Sequence, residues 1–112
     1  MELHVVHAPA YQRTDLVANS GYIFAVLGIF FDRDPKVASM FEDWEIELID
    51  KMFDSMKWEV LDSNPVVDEI HTGKFLQMVD ASERWTYRGS LTTPPCSTAI
   101  QWNVVKKVYP MK

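Results

Sequence analysis

Apolar positions along this chain shift from runs and alternation to a three- and four-residue step, and then back. Residues 3–7 read as a short strand, with Glu2, His4 and Val6 on one face and Leu3, Val5 and His7 on the other. Pro9, which has no N–H to give to a ladder, ends that strand. Residues 11–20 are polar and irregular, closed by Gly21. Residues 22–31 are apolar throughout, as a central strand covered on both sides would be. Ala25, Leu27 and Ile29 fall on one face, and Phe24, Val26, Gly28 and Phe30 on the other.

After that strand the period lengthens. Asp34-Pro35 predicts a helix start, with Asp as N-cap and Pro at the first helical position. Val37, Met40, Phe41, Trp44, Leu48, Met52, Phe53 and Met56 then recur at helical steps, predicting one amphipathic helix of roughly twenty residues over 36–55. Its Met and aromatic stripe reads as core packing, and Glu42, Asp43, Glu45, Glu47 and Asp50 as its solvated face. Residues 58–62 suit a short strand, Ser63-Asn64-Pro65 a turn, and residues 66–77 show no clear period. Residues 85–87 read as extended, 89–95 as an ordered loop, and 99–108 as a strand with Ile100, Trp102 and Val104 inward. The fold class is mixed α+β, with a mostly antiparallel central β-sheet and a flanking helix.

Composition narrows the functions. With 112 residues the chain is one domain at most, and 16 Asp+Glu against 11 Lys+Arg give no support for nucleic-acid binding. Residues 22–31 are too short to span a bilayer as a helix, so no membrane-spanning segment is expected. Met1 is followed by Glu2 and His4, not by the basic and apolar regions of a signal peptide. Cys96 is the only cysteine, which reads either as a buried thiol or as a half-cystine with its partner outside these residues.

Two segments carry candidate chemistry. On the first strand Glu2 and His4 sit side by side, so a metal bound through one imidazole nitrogen would leave the other N–H to Glu2. Zinc takes three or four ligands, and His4, His7 and His71 are too few and too scattered to define a zinc site by spacing. Gly89-Ser90-Leu91-Thr92-Thr93-Pro94-Pro95 is stiffened by two prolines, and Gly89 permits an unusual backbone angle. Such a loop presents a hydroxyl and a backbone N–H in fixed geometry. It has neither the lysine and glycine spacing of a phosphate loop nor a Gly-x-Ser-x-Gly nucleophile pattern.

Glu2-Leu3-His4-Val5-Val6-His7, Phe24-Ala25-Val26-Leu27-Gly28-Ile29-Phe30, and Trp85-Thr86-Tyr87-Arg88-Gly89-Ser90-Leu91-Thr92-Thr93-Pro94-Pro95-Cys96 continuing through Gln101-Trp102 occur in that order. Together they resemble the alpha-class carbonic anhydrases. The resemblance runs over essentially the whole chain but only over the middle portion of a family domain. Residues 1–112 are therefore expected to be a partial domain lacking N-terminal and C-terminal portions.

By that resemblance His4 is a zinc ligand and Glu2 its hydrogen-bond acceptor. Thr92 is implied as the gatekeeper whose hydroxyl accepts a hydrogen bond from zinc-bound hydroxide, with Thr93 bordering the substrate. Val6, Val26, Leu91 and Trp102 are implied as the apolar wall where CO2 rests. The resemblance also implies zinc in a complete domain and none in this chain alone. The family's His-x-His pair, its proton-shuttle histidine and the glutamate behind the gatekeeper would lie upstream of Met1. Ala8-Pro9 replaces the family's usual aromatic and polar pair. A full protein that supplies the His-x-His is expected to be a carbonic anhydrase acting on CO2 and bicarbonate. One that does not is expected to be a pseudoenzyme, a structural or binding module in a larger assembly. Either way the chain is expected to meet the missing parts of its domain or a partner protein. By the same resemblance Cys96 stands where secreted family members often carry one half of a disulfide to a cysteine near the N-terminus.

Overall fold

A computed structural model describes residues 1–9, 21–56 and 72–112. In chain order the elements are β1 (Glu2–His7), β2 (Phe24–Asp32), α1 (Pro35–Ala38), α2 (Asp43–Ser55), α3 (Thr72–Met78), β3 (Arg84–Ser90) and β4 (Thr98–Pro110). The expected strand at 58–62, the turn at 63–65 and His71 lie outside the described residues.

The strands form one sheet in the order β1-β2-β4-β3. β1 runs antiparallel to β2, with His4 opposite Gly28 and Val6 opposite Val26. β3 runs antiparallel to β4, with Tyr87 opposite Trp102. Between β2 and β4 the direction is shared. The N–H of Ile23 donates to Ala99 O at the start of β2, and Asp32 O accepts from the N–H of Met111 at its end, both at 3.0 Å. The sheet is thus largely antiparallel with one parallel pair, in line with the expected mixed α+β fold class.

The chain divides into two compact units: Met1–Phe30 with Ala81–Lys107, and Phe31–Asp80 with Val108–Lys112. In the first, Val26, Ile100, Trp102 and Val104 form a buried cluster, with Phe24 and Leu91 packed against it. These are alternate positions of two strands, so the period of two delivers them to one face. Ile100, Trp102 and Val104 are inward as expected.

In the second unit the core is aromatic. Phe31 meets Phe53 edge-on at 5.0 Å between ring centroids and Phe75 at 5.8 Å. Tyr109 lies 5.5 Å from Phe41 and 5.9 Å from Phe75. Ring pairs at these separations add roughly 0.5–1.5 kcal/mol each beyond the area they bury. Ile49, Met52 and Phe53 are the buried residues of α2.

The single helix expected over 36–55 is instead two. Asp34 caps α1 as the sequence indicates, its side chain accepting the N–H of Lys36 at 2.9 Å, with Pro35 in the first turn. The helix then stops. The Ser39 hydroxyl donates to Lys36 O at 2.8 Å, and the N–H groups of Met40 and Phe41 turn tightly to Val37 O and Ala38 O. Glu42 is extended, and its N–H donates to the Glu45 carboxylate at 2.8 Å, which starts α2 afresh. Asp43 and Glu45 also favour that end through the helix dipole. The break turns the buried face. Met40 and Trp44 of the predicted stripe are 67% and 61% exposed, while Ile49, outside that stripe, is fully buried. Asp50, expected on the solvated face, has its carboxylate largely covered and paired with Lys112.

Candidate functional site

β1 presents Glu2 and His4 two residues apart on one face, and Glu2 Oε1 lies 2.7 Å from His4 Nε2. That bond orients the imidazole and reserves Nε2 for the carboxylate, leaving Nδ1 as the nitrogen for a ligand role. Opposite His4, Gly28 brings no side chain. A Cβ there would meet Glu2 Oε1 and Val104 Cγ2 at 3.5 Å, ordinary contact distances, so Gly28 lies under the Glu2 carboxylate.

Trp102 closes the other side of His4. The two rings meet edge to face, with centroids 4.8 Å apart and planes at 75°. Trp102 also stacks on Tyr87, its cross-strand partner, at 6.2 Å and 8°. Its Nε1–H donates to Ser90 O at 3.0 Å. One buried indole thus touches the His4 strand and the entrance of the Thr-Thr-Pro-Pro loop.

That loop starts from an irregularity in the ladder, where Gly89 pairs with Ile100 but Ser90 pairs with Thr98. The extra residue, Ala99, takes a left-handed backbone at φ 66°, a conformation that one class of β-bulge uses and usually gives to glycine. The N–H of Leu91 donates to Ser97 O at 3.0 Å and that of Cys96 to Thr93 O at 2.9 Å, closing the loop on itself. Gly89 is needed for a different reason from the one its sequence context suggests. Its φ is not positive. The requirement is space, because a Cβ at 89 would stand 2.9 Å from Trp102 Cδ1.

The structure therefore joins Glu2, His4 and Trp102 in one contact chain, and gathers Val26, Leu91 and Trp102 in one apolar cluster. Val6 lies opposite Val26 in the register but is 55% exposed. Thr92 and Thr93 are exposed on the loop, and no hydrogen bond among the described residues joins their hydroxyls to His4. His7, on the other face of β1, lines a separate hollow with Tyr22 and Gln101. Cys96 is a free, exposed thiol, which corrects the buried-thiol reading: its left-handed backbone at φ 55° follows the solvent-exposed Thr-Thr-Pro-Pro turn. Sequence reasoning missed the contacts of Gly89 and Tyr87 with the indole. The signal was present in the alternation of β3, which puts 87 and 89 on one face.

Among the described residues no group of three or more His, Cys, Asp or Glu side chains is gathered to hold a metal ion. Zinc needs three or four donors, so the one imidazole and its carboxylate partner do not fit a zinc ion by themselves. A groove of about 490 Å³ lies elsewhere, lined by Trp44, Leu48 and Met78 with Lys51 and Lys74, and has none of this chemistry. Among the described residues no helix is long and apolar enough to cross a membrane.

A four-stranded mixed sheet thus carries a histidine held by a carboxylate, with a proline-stiffened threonine loop beside a buried indole. The family model described as eukaryotic-type carbonic anhydrase matches residues 1–112, and the chain belongs to that family. It is 32% identical over 108 residues to alpha carbonic anhydrase 3 of Arabidopsis thaliana, covering 96% of this chain and 32% of that protein. Among solved structures it is similar to the alpha carbonic anhydrase of Thermovibrio ammonificans, determined with the inhibitor sulfanilamide. There the identity is 27% and the TM-score 0.58, over 99% of this chain and 40% of that one. It shares the fold of the fungal alpha carbonic anhydrase of Aspergillus oryzae, with TM-score 0.61 and 24% identity over 98% of this chain and 40% of that one. The chain thus spans about a third of the curated relative and two-fifths of each solved chain.

Proposed function

We propose that these residues form the middle part of a zinc-dependent carbonic anhydrase domain, whose complete form hydrates CO2 reversibly to bicarbonate and a proton. The observation that carries this reading is the 2.7 Å contact between Glu2 Oε1 and His4 Nε2, in a chain of this family. It is the arrangement a metal-binding histidine needs on its far side.

In this reading His4 supplies one nitrogen donor through Nδ1, and Glu2 fixes its tautomer and ring angle. Carbonic anhydrase chemistry draws its nucleophile at neutral pH from water acidified by zinc to a pKa near ~7. The described residues gather too few donors for that ion, so in this reading the chain alone is inactive. Thr92 contributes a hydroxyl, on a loop closed by its own backbone bonds, that accepts a hydrogen bond from the attacking oxygen. Thr93 borders the substrate. Val26, Leu91 and Trp102, with Val6 at the open end, offer an uncharged triatomic substrate an apolar surface. CO2 makes few hydrogen bonds, and such a wall also keeps competing water away.

The test is metal analysis and CO2 hydration in the complete protein. One bound zinc together with hydration activity supports the reading. A complete protein with neither is a non-catalytic module of this family, the outcome that defeats the catalytic reading.

A further inference from the structure

We infer that Gly89 and Trp102 act as a pair of positioning residues: the missing side chain at 89 seats the Trp102 indole, which then fixes both the His4 ring and the entrance of the Leu91–Pro95 loop. The inference rests on the reading of His4 and Thr92 as site residues.

An indole has two side-chain torsions, and here three contacts over-determine them. Tyr87 stacks parallel to it at 6.2 Å and sets its plane. The Nε1–H bond to Ser90 O, 3.0 Å long, sets its rotation within that plane. The edge-to-face contact with His4, 4.8 Å between centroids, is then the consequence at the far side of the ring. Ser90 is two residues from Thr92, so the bond that orients the indole also anchors the loop bearing the threonine hydroxyls.

Gly89 makes this possible. An added Cβ would stand 2.9 Å from Trp102 Cδ1, 3.2 Å from its Nε1 and 3.2 Å from Tyr87 Cε2. A methyl group does not fit at those distances, and neither aromatic ring is the end of a flexible chain. Any L side chain at 89 therefore moves the indole and lengthens its bond to Ser90 O. The displacement is passed to His4 through the ring and to Thr92 through Ser90. The pair thus couples two groups that no hydrogen bond among the described residues connects directly.

The experiment uses the complete, isotopically labelled protein and three variants. Gly89→Ala displaces the indole, Trp102→Phe removes its donor, and Thr86→Ala is a control. Thr86 bonds Asn103 Oδ1 at 3.3 Å and does not touch the indole, yet lies on the same strand. NMR follows the His4 ring resonances and the exchange rates of the Trp102 indole N–H and the Leu91 amide. Gly89→Ala and Trp102→Phe are expected to shift the His4 resonances and to speed Leu91 exchange roughly tenfold or more, with Thr86→Ala close to wild type. In Gly89→Ala the indole N–H should exchange faster as well. If Gly89→Ala does not fold, Trp102→Phe carries the same two readouts.

Where the wild type hydrates CO2, Gly89→Ala and Trp102→Phe should lower kcat/KM roughly tenfold with zinc still bound, and Thr86→Ala should not. His4 and Leu91 signals that stay at their wild-type values in both indole variants overturn the inference, even in an active protein. Coupled shifts in a protein without hydration activity support the positioning pair while defeating the carbonic anhydrase reading.

Discussion

Glu2 and His4 sit on the same face of β1, and their carboxylate and imidazole meet at 2.7 Å, with the histidine's other flank covered by Trp102 at 4.8 Å between ring centroids. Glu2 holds one ring nitrogen of His4, so under the proposed function it acts on metal affinity without touching the metal. In the complete protein Glu2→Ala is expected to weaken zinc binding about 10- to 100-fold, as loss of such a partner does elsewhere. Competition with a chelator of known affinity measures this. An unchanged affinity would mean that the pair is an ordinary surface contact.

Thr92 should separate chemistry from metal binding. Its hydroxyl lies on a loop closed by Leu91 N–H to Ser97 O and Cys96 N–H to Thr93 O. Thr92→Ala removes an acceptor but no proposed ligand. Turnover should fall roughly 100-fold, the scale for losing a preorganised hydrogen-bonding group, while zinc content stays at the wild-type level. Parallel kinetics and metal analysis would detect any failure of that split.

The aromatic core of the second unit predicts where stability lies. Phe75 is fully buried and within ring contact of Phe31 and Tyr109. Truncating it to Ala removes a large apolar side chain and leaves a cavity that neighbouring rings cannot readily fill. The expected loss is about 3–5 kcal/mol, read from denaturant midpoints of the complete protein. The exposed Trp44, on the same unit, should cost far less when truncated, because 61% of its surface already meets water.

Tyr109 gives the fold a dependence on alkaline pH. Burial raises its phenol above the usual value of 10.0, partly opposed by the Asp80 N–H, which donates to its oxygen at 2.8 Å. The folded state therefore holds this proton more tightly than the unfolded chain. Its contribution is complete below about pH 10 and is lost as the pH rises through the raised folded-state value. Thermal melts of the wild type should fall more steeply above about pH 10 than those of Tyr109→Phe, which cannot ionise there. At neutral pH the variant should be weaker by about 1 kcal/mol, because the Asp80 N–H loses its partner. Parallel slopes above pH 10 would remove Tyr109 from the account.

The parts of this fold that were legible in the sequence were those with a strict local period. The alternation of Glu2, His4 and Val6, and of Ile100, Trp102 and Val104, placed those residues on the faces they occupy. Asp34-Pro35 marked the start of α1 for a reason visible in two residues. The break after Ser39 was not legible, because hydrophobic spacing continues through it and only the Glu42 and Glu45 backbone pairing reveals a second start. α3 has seven residues, two turns with Gly73 among them, which is too short for a helical period to emerge. At the site, the Glu2–His4 pair followed from strand geometry alone. The seat of Trp102 did not, because Gly89 looks like a residue chosen for its backbone and is in fact required for the space it leaves.

The central claim is that His4 is a metal ligand of a carbonic anhydrase site. Its most direct test is CO2 hydration and bound zinc in the complete protein, compared with the His4→Ala variant. The account predicts one zinc and measurable hydration in the wild type, with both lost in His4→Ala while the fold, followed by circular dichroism, is retained. Full hydration activity in His4→Ala would contradict the assignment outright.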